Sequence, residues 1–398
     1  MNHWVTIEGV KKTIFGRGAL SQIGLECKAL KASRILLVMD RALSKTDLFL
    51  KVEEFLQRNR VKTILYPEVT PEPGPALADI GAELAKKEKV NCVIGLGGGS
   101  TMDVAKAIAV LVKNEGKAVE YIGLDLVKKP GLPTIMIPTT AGTGSEATFT
   151  SVFTMRETKT KGGINSPFLY PNTAILDPEL TLDLPSEVTA YTGMDALTHA
   201  IESFTSLQSH FMSEPISLKA IEIISANLKG AVYNGTGGNG YNYRENMMKG
   251  SYLAGLGLAM SGVGAVHALA YPLGALFDIP HGLANALMLS YVVEYNYPGN
   301  IDKFALIAHA MGEEAKGSSN RNMAARGVRA VFDLFCDLGL PLTLKELSIP
   351  EEAIPEMGEA AMKVTRPIMN NPRPMTVEVA EDIYRRAFEG KTKSGKSV

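Results

Sequence analysis

Apolar positions along the first half of the chain fall into two alternating textures. Arg34–Asp40 (RILLVMD) is an almost unbroken apolar run closed by an acid, and Asp47–Asn59 then spaces Leu48, Leu50, Val52 and Phe55 for a helix. Lys62–Tyr66 predicts a second strand and Pro75–Lys87 a second helix. Val90–Leu96 (VNCVIGL) predicts a third strand, with a helix from about Met102 to Lys113, and Pro133–Pro138 (PTIMIP) a fourth. Unbroken apolar strands alternating with amphipathic helices predict a parallel sheet covered by helices, an α/β Rossmann-like domain. Phe153–Asp177 reads as an irregular hairpin that returns to the sheet through Asn172–Asp177 (NTAILD).

After Leu184-Pro185 the strand texture stops. Helical spacing runs through Ser186–Ser206, Ser213–Asn234 and Glu245–Met260, with further helices to Phe388. This predicts two domains, an α/β domain over 1–184 and an all-α domain over 185–398. There is no internal repeat. The polar tail Lys391–Val398 is expected to be disordered.

One stretch changes the picture. Gly250–Phe277 is 28 residues without Asp, Glu, Lys or Arg, long enough by composition for a membrane span. Its six glycines, Pro272 and His267 favour two buried helices joined by a turn, with no membrane association. Met1–Ala19 has no apolar core or cleavage site, so no secretory signal is expected. Lys plus Arg (41) and Asp plus Glu (42) nearly cancel, which excludes an electrostatic nucleic-acid binder. Cys27, Cys92 and Cys336 are widely spaced and odd in number, arguing against a disulfide framework and for a reducing, cytoplasmic setting.

The glycines point to chemistry. A strand, then Gly97-Gly98-Gly99-Ser100, then a helix puts backbone N–H groups and a helix N-terminus where a phosphate can lie. A second hydroxyl- and glycine-rich loop, Pro138–Glu146 (PTTAGTGSE), follows the next strand. Two such loops after neighbouring parallel strands face each other at the carboxyl edge of a sheet, where open α/β sheets bind ligands. Asp40 closes the first strand, and a carboxylate there suits an adenosine ribose and repels a 2′-phosphate, favouring NAD over NADP. Capping the following helix is the competing use. The dinucleotide fingerprint places its acid about 20 residues after the glycines, whereas Asp40 precedes Gly97 by 57. Either the sheet order is permuted or the cofactor reading fails.

Among the six histidines, His3, His210 and His309 have no partner pattern. Asp195 and His199 stand i, i+4 in TGMDALTHAIES, on one face of a helix. His267 lies in the uncharged stretch and His281 follows fourteen residues later. A buried histidine needs polar partners that apolar surroundings do not supply. Three histidines and one aspartate converging from separate helices would bind a divalent transition ion, Fe²⁺ or Zn²⁺ in preference to Ca²⁺ or Mg²⁺.

The set GGGSTMDVAKA (97–107), PTTAGTGSE (138–146), DPEL (177–180), TGMDALTHAIES (192–203), GAVHALAYPLGALFDIPHGLANAL (264–287) and NPRPMT (371–376) resembles the iron-containing (group III) alcohol dehydrogenase family over nearly the whole chain. The resemblance implies a dehydroquinate synthase-like architecture, with the metal in the cleft between an α/β and a helical domain, and a homodimer or larger homo-oligomer. It makes Asp195, His199, His267 and His281 the metal ligands, Fe²⁺ favoured over Zn²⁺. It places the dinucleotide on Gly97, Gly98, Gly99 and Ser100, on Thr139, Thr140 and Thr143, and near Phe149. Asp40 becomes the ribose selector. Lys161 matches a lysine near the ribose, against the alternative of a solvated lysine in a run with Lys159. Asp103 either caps its helix or approaches the nicotinamide end.

One departure stands out. Many members carry a second histidine four residues after the position of His267, often assigned to proton relay, and this chain has Tyr271. Tyr271 is therefore the candidate catalytic residue, with plain packing as the alternative. The implied function is reversible hydride transfer between NAD and small primary alcohols or aldehydes. Reductases of the 4-hydroxybutyrate or maleylacetate type and glycerol dehydrogenase-like enzymes of the same fold are the alternatives. The substrate pocket is expected to be lined by Phe149, Leu253, Leu258 and Phe277, apolar residues that suit a short neutral substrate.

Overall fold

The computed structural model describes residues 4–158, 160–235 and 240–391, so His3, Lys159 and the tail residues 392–398 lie outside the described residues. The strands are β1 (Lys12–Phe15), β2 (Arg34–Asp40), β3 (Lys62–Val69), β4 (Cys92–Gly97), β5 (Gly123–Leu124), β6 (Thr134–Pro138), β7 (Thr150–Met155), β8 (Thr160–Asn165) and β9 (Thr173–Leu176). The first helices are α1 (Ile23–Ala29), α2 (Asp47–Arg58), α3 (Ala76–Lys87) and α4 (Gly99–Leu111). The rest are α5 (Ser186–Thr205), α6 (Ser213–Tyr233), α7 (Gly240–Ser261), α8 (Ala265–Phe277), α9 (His281–Asn296), α10 (Ile301–Ala310), α11 (Asn320–Asp337), α12 (Ile354–Met362), α13 (Thr365–Asn370) and α14 (Val377–Glu389). Two compact units result: Met1–Thr140 with Gly144–Thr181, and Ala141–Thr143 with Leu182–Val398.

The first unit is built on a six-stranded sheet in the order β1-β9-β6-β4-β2-β3, every pair parallel. Its central strands read as unbroken apolar runs because both faces are buried. Leu36, Val38, Val93 and Met136 pack into the core that holds Ala78, Ala82 and Ile108 from α3 and α4. The alternate residues Ile35, Leu37, Met39, Ile94 and Ile137 pack with Ile23, Val52 and Leu56 from α1 and α2. The strand order also answers the puzzle over Asp40. The acid-bearing β2 lies beside β4, which ends in the glycine loop, so the acid is a spatial neighbour despite its place in the chain. The expected hairpin over 153–177 divides: β7 and β8 pair antiparallel in a small sheet ordered β5-β8-β7, and β9 rejoins the main sheet.

Three local expectations are corrected. The edge strand β1 was not predicted from KTIF, whose side chains are almost all exposed and carry no core signal. Helix α4 begins at Gly99, about three residues before the expected Met102, so the glycines open its first turn. Lys391, placed by the sequence in a disordered tail, has its side chain covered: its Nζ donates to the Ser290 carbonyl at 2.9 Å and pairs with Glu294 at 2.7 Å.

The second unit is helical among its described residues, with one apolar core drawing on α5 to α12 and α14. The uncharged 250–277 run is two helices, broken at the glycine-bearing segment 262–264, whereas Pro272 lies inside α8. Helices α7 and α8 bend by 104° across residues 262–264, and no single helix among the described residues is long and apolar enough to cross a membrane.

Candidate nucleotide loop and metal centre

Strand β4 delivers the chain to the glycine loop with its residues fully buried. Gly97 has φ +156°, and a Cβ there would meet Thr101 Oγ1 at 2.7 Å, so this position needs glycine. Gly98 is the N-cap of α4 and no side chain caps it. The first-turn N–H groups of Gly99 and Ser100 therefore point out of the helix end, where an anion is favoured. A Cβ on Gly98 would lie 3.7 Å from Thr140. The Thr139 N–H donates to the Gly97 carbonyl at 3.0 Å, tying the second loop to the first. Asp40 stands at the same edge of the sheet, and its Oδ1 accepts from the Leu43 N–H at 2.8 Å, which holds the turn after β2, whereas the N-cap of α2 is Thr46.

Asp103 does not cap its own helix, and its carboxylate bonds outside α4. Its Oδ1 accepts from Ser145 Oγ at 2.6 Å and its Oδ2 from the Val152 N–H at 2.9 Å. It also pairs with Lys106 at 3.2 Å. Lys106 is fully buried and donates to the Ser145 carbonyl at 3.0 Å, to Thr148 Oγ1 at 3.2 Å and to the Thr150 carbonyl. Burial pulls the Lys106 ammonium down from its ordinary value, while Asp103 and Glu146 push it back up. Burial in turn pushes the Glu146 carboxyl up to about 7 against the pull of Lys106. The second glycine loop is thus fastened to α4 by a buried ion pair that the sequence reading did not assign.

Lys161 is not a solvated lysine. Its side chain is 4% exposed and its Nζ lies 2.5 Å from Glu72 Oε2, which also accepts from Thr154 Oγ1 at 3.1 Å. Phe149 is half-buried, its ring 5.4 Å from that of Tyr170. Thr143 groups with the helical unit, where a Cβ on neighbouring Gly142 would meet Thr192 at 2.7 Å.

In the second unit, α5 presents Asp195, His199 and Glu202 at i, i+4 and i+7, one stripe of a helix. His267 stands in the first turn of α8 and His281 is the first residue of α9. One donor atom from each of Asp195, His199, His267 and His281 falls within 4.8 Å of every other. The Nε2 atoms of His199 and His267 are 3.0 Å apart with the rings stacked at 4.8 Å. The Tyr271 ring lies 5.9 Å from His281 and 6.3 Å edge-on from His267. Leu253 and Phe277, expected in the pocket, pack partly buried against the helical core, and Leu258 is also partly buried.

Burial works to raise the Asp195 carboxyl, but the attraction of His199, His281 and His267 and a hydrogen bond from Asn285 hold it below the ordinary value. Burial and the nearby His267 push His199 down, toward the neutral imidazole, against the pull of Asp195. An ionised carboxylate beside a neutral imidazole belongs to a donor set for a divalent transition ion.

Sequence reasoning missed two partners of this cluster. Asn285 Nδ2 donates to Asp195 Oδ1 at 2.7 Å and lies 3.1 Å from His267 Nε2 and 3.2 Å from His281 Nε2. Glu202 Oε2 is 2.5 Å from His267 Nδ1. Spacing carried a signal for both: Glu202 follows His199 by three positions and Asn285 follows His281 by four, so each pair shares a helix face.

The profile described as iron-containing alcohol dehydrogenase matches residues 11–178, and that of the Fe-containing alcohol dehydrogenase family, C-terminal, matches residues 189–388. The chain is 38% identical over 378 residues to long-chain-alcohol dehydrogenase 1 of Geobacillus thermodenitrificans, covering 94% of each. The structure of a 1,3-propanediol oxidoreductase superposes with a TM-score of 0.93 at 35% identity, covering 97% of this chain and all of that one. The sulfoacetaldehyde reductase of Bifidobacterium kashiwanohense, solved in complex with NAD+, superposes at 0.86 with 28% identity, covering 97% and 99%. The chain belongs to the iron-containing alcohol dehydrogenase family.

Proposed function

We propose that this chain is a metal-dependent, NAD-linked dehydrogenase that interconverts small primary alcohols and aldehydes by reversible hydride transfer. The observation that carries the reading is the convergence of Asp195, His199, His267 and His281 on one buried point. These four would hold the ion, Fe²⁺ in preference to Zn²⁺. When bound, the ion supplies Lewis acidity at the substrate oxygen and the nicotinamide takes up or gives the hydride.

The remaining tasks fall to the chain. Gly97, Gly98, Gly99 and Ser100 offer backbone N–H groups and a helix N-terminus to a pyrophosphate, so no basic surface is needed. Thr139, Thr140, Thr143 and Phe149 are proposed to line the rest of the dinucleotide. Asp40 keeps one carboxylate oxygen for the ribose and disfavours a 2′-phosphate, which selects NAD over NADP. Asp103 acts on the cofactor through the loop it fastens, and Lys161, neutralised by Glu72, reaches the ribose as half of an ion pair. Tyr271, whose ring flanks two of the ligands, is proposed to hydrogen-bond the substrate oxygen. The apolar Leu253, Leu258 and Phe277 favour a short neutral substrate. The enzyme is proposed to be cytoplasmic, in keeping with three free cysteines, and to act as a homodimer or larger oligomer.

A panel of short aldehydes assayed with NADH and with NADPH, Fe²⁺ or Zn²⁺ restored, tests the reading. NADH oxidation with a short unbranched aldehyde supports it. Turnover confined to 4-hydroxybutyrate, maleylacetate or glycerol partners would redirect it to those reductases, and no turnover with any partner would sink it.

A further inference from the structure

We propose that Glu202 and the Asn371–Asn296 amide pair cap α8 from outside and so fix the tautomer and direction of His267, making the Asn371-Pro372-Arg373 turn a positioning element of the metal centre. The proposal rests on the ligand reading above and goes beyond it to residues outside the four.

Helix α8 starts without a cap of its own, because Gly264 precedes it and has no side chain. Its first amides are nonetheless bonded. The Ala265 N–H donates to Asn371 Oδ1 at 3.2 Å, and the Val266 N–H donates to Glu202 Oε1 at 2.6 Å. The next residue is His267, and the other oxygen of the same carboxylate, Oε2, meets its Nδ1 at 2.5 Å. One carboxylate therefore meets a backbone N–H and a ring nitrogen of consecutive residues. With this carboxylate as the acceptor, the ring proton sits on Nδ1. The Nε2 lone pair is then left to face His199 and the other donors. Metal-binding histidines are held in this way through the nitrogen that does not ligate.

Asn371 is itself clamped. Its Nδ2 donates to Asn296 Oδ1 at 2.9 Å and to the Arg373 carbonyl at 2.7 Å, and Asn296 Nδ2 donates back to Asn371 Oδ1 at 2.8 Å. Asn296 is the last residue of α9, the helix that His281 opens, so the cap ties α8 to the helix that bears His281. Glu202, Asn296 and Asn371 are all buried. A Cβ on Gly264 would come within 3.1 Å of Glu202 Oε1 and 3.2 Å of Asn371 Oδ1, so the convergence of both side chains on this helix end uses the glycine.

Glu202→Gln separates positioning from plain support, since its single carbonyl oxygen cannot accept both N–H groups and its amide turns a donor toward one of them. In metal-free protein, long-range ¹H–¹⁵N NMR should find His267 protonated on Nδ1 in the wild type and moved toward Nε2–H in Glu202→Gln. Chelator competition with Zn²⁺ should then show affinity falling about 10- to 100-fold in that variant. Asn371→Ala should keep the wild-type tautomer, melt at lower temperature and bind Zn²⁺ a few-fold more weakly. A wild-type tautomer with wild-type affinity in Glu202→Gln overturns the proposal. If Glu202→Gln does not fold, unchanged affinity in Asn371→Ala overturns it. A wild type that binds no metal overturns the ligand reading instead, and the tautomer measurement still decides the role of Glu202.

Discussion

The Nε2 atoms of His199 and His267 face each other at 3.0 Å inside the helical unit, with both side chains at most 5% exposed. Two neutral imidazoles that point bare lone pairs at one another repel. The contact is satisfied by a proton between them or by a cation that both can ligate. Burial holds His199 toward the neutral form, and Asp195 stands ionised beside the pair. Charge and donor type are those of a group that could hold a divalent ion.

Cofactor choice is predicted to rest on Asp40. One of its oxygens already holds the Leu43 N–H, which keeps the turn after β2 in place. Asp40→Ser keeps a turn-capping oxygen and removes the charge that repels a 2′-phosphate. The ratio of kcat/KM for NADPH to that for NADH should rise by about tenfold or more, equivalent to about 1.4 kcal/mol. An unchanged ratio would leave Asp40 with the turn alone.

The Asp103–Lys106 pair should govern cofactor binding without touching the metal. In Asp103→Asn the fully buried Lys106 ammonium loses its counter-charge, a change that typically costs about 3–5 kcal/mol in a buried pair. Urea unfolding should show a loss of about that size, discounted for the part-exposed aspartate. The KM for NADH should rise while metal content stays at the wild-type level. Loss of metal along with stability would mean the damage is general.

Glu146 gives the protein a pH-dependent penalty. Its carboxyl is pushed by burial from the ordinary 4.5 to about 7. Below the ordinary value both folded and unfolded chains hold the proton, and Glu146 has no effect. Between the two values the unfolded chain loses the proton first, so stability falls as pH rises, and above about 7 the penalty is complete. Glu146→Gln should therefore be more stable than wild type at pH 8.5, by on the order of 3 kcal/mol at most, with the gap closing toward pH 5. Chemical denaturation at several pH values checks this, and a gap independent of pH would contradict it.

Tyr271→Phe distinguishes a substrate contact from packing. The ring contacts with His267 and His281 survive in phenylalanine, so metal content and melting temperature should hold. The kcat/KM should fall about tenfold, the scale of one hydrogen bond worth about 1.4 kcal/mol. An unaltered kcat/KM assigns Tyr271 to packing.

The parts legible in the sequence are those written locally. Strands such as RILLVMD announce two-sided burial, and the spacing of Asp195 and His199 announces a shared helix face. What is written across the chain was not legible. The placing of β2 beside β4 depends on the sheet order, and one edge strand, KTIF, is too exposed to carry an apolar signal. Lys106 reads as an ordinary charged residue on an amphipathic helix, because nothing near it in sequence shows the carbonyls of residues 145 and 150 that bury it. Glu202 and Asn371 meet at Gly264 from opposite ends of the helical unit, a convergence that only the folded chain displays.

The most direct measurement is metal content set against turnover. Wild-type protein should carry one Fe²⁺ or Zn²⁺ per chain by elemental analysis, lose aldehyde-dependent NADH oxidation on chelation and regain it when the ion is restored. His199→Ala and His267→Ala should lose ion and activity together, by more than about 100-fold. Full turnover by metal-depleted wild-type protein, or a full complement of metal in either variant, would contradict the assignment of Asp195, His199, His267 and His281 as the ligands.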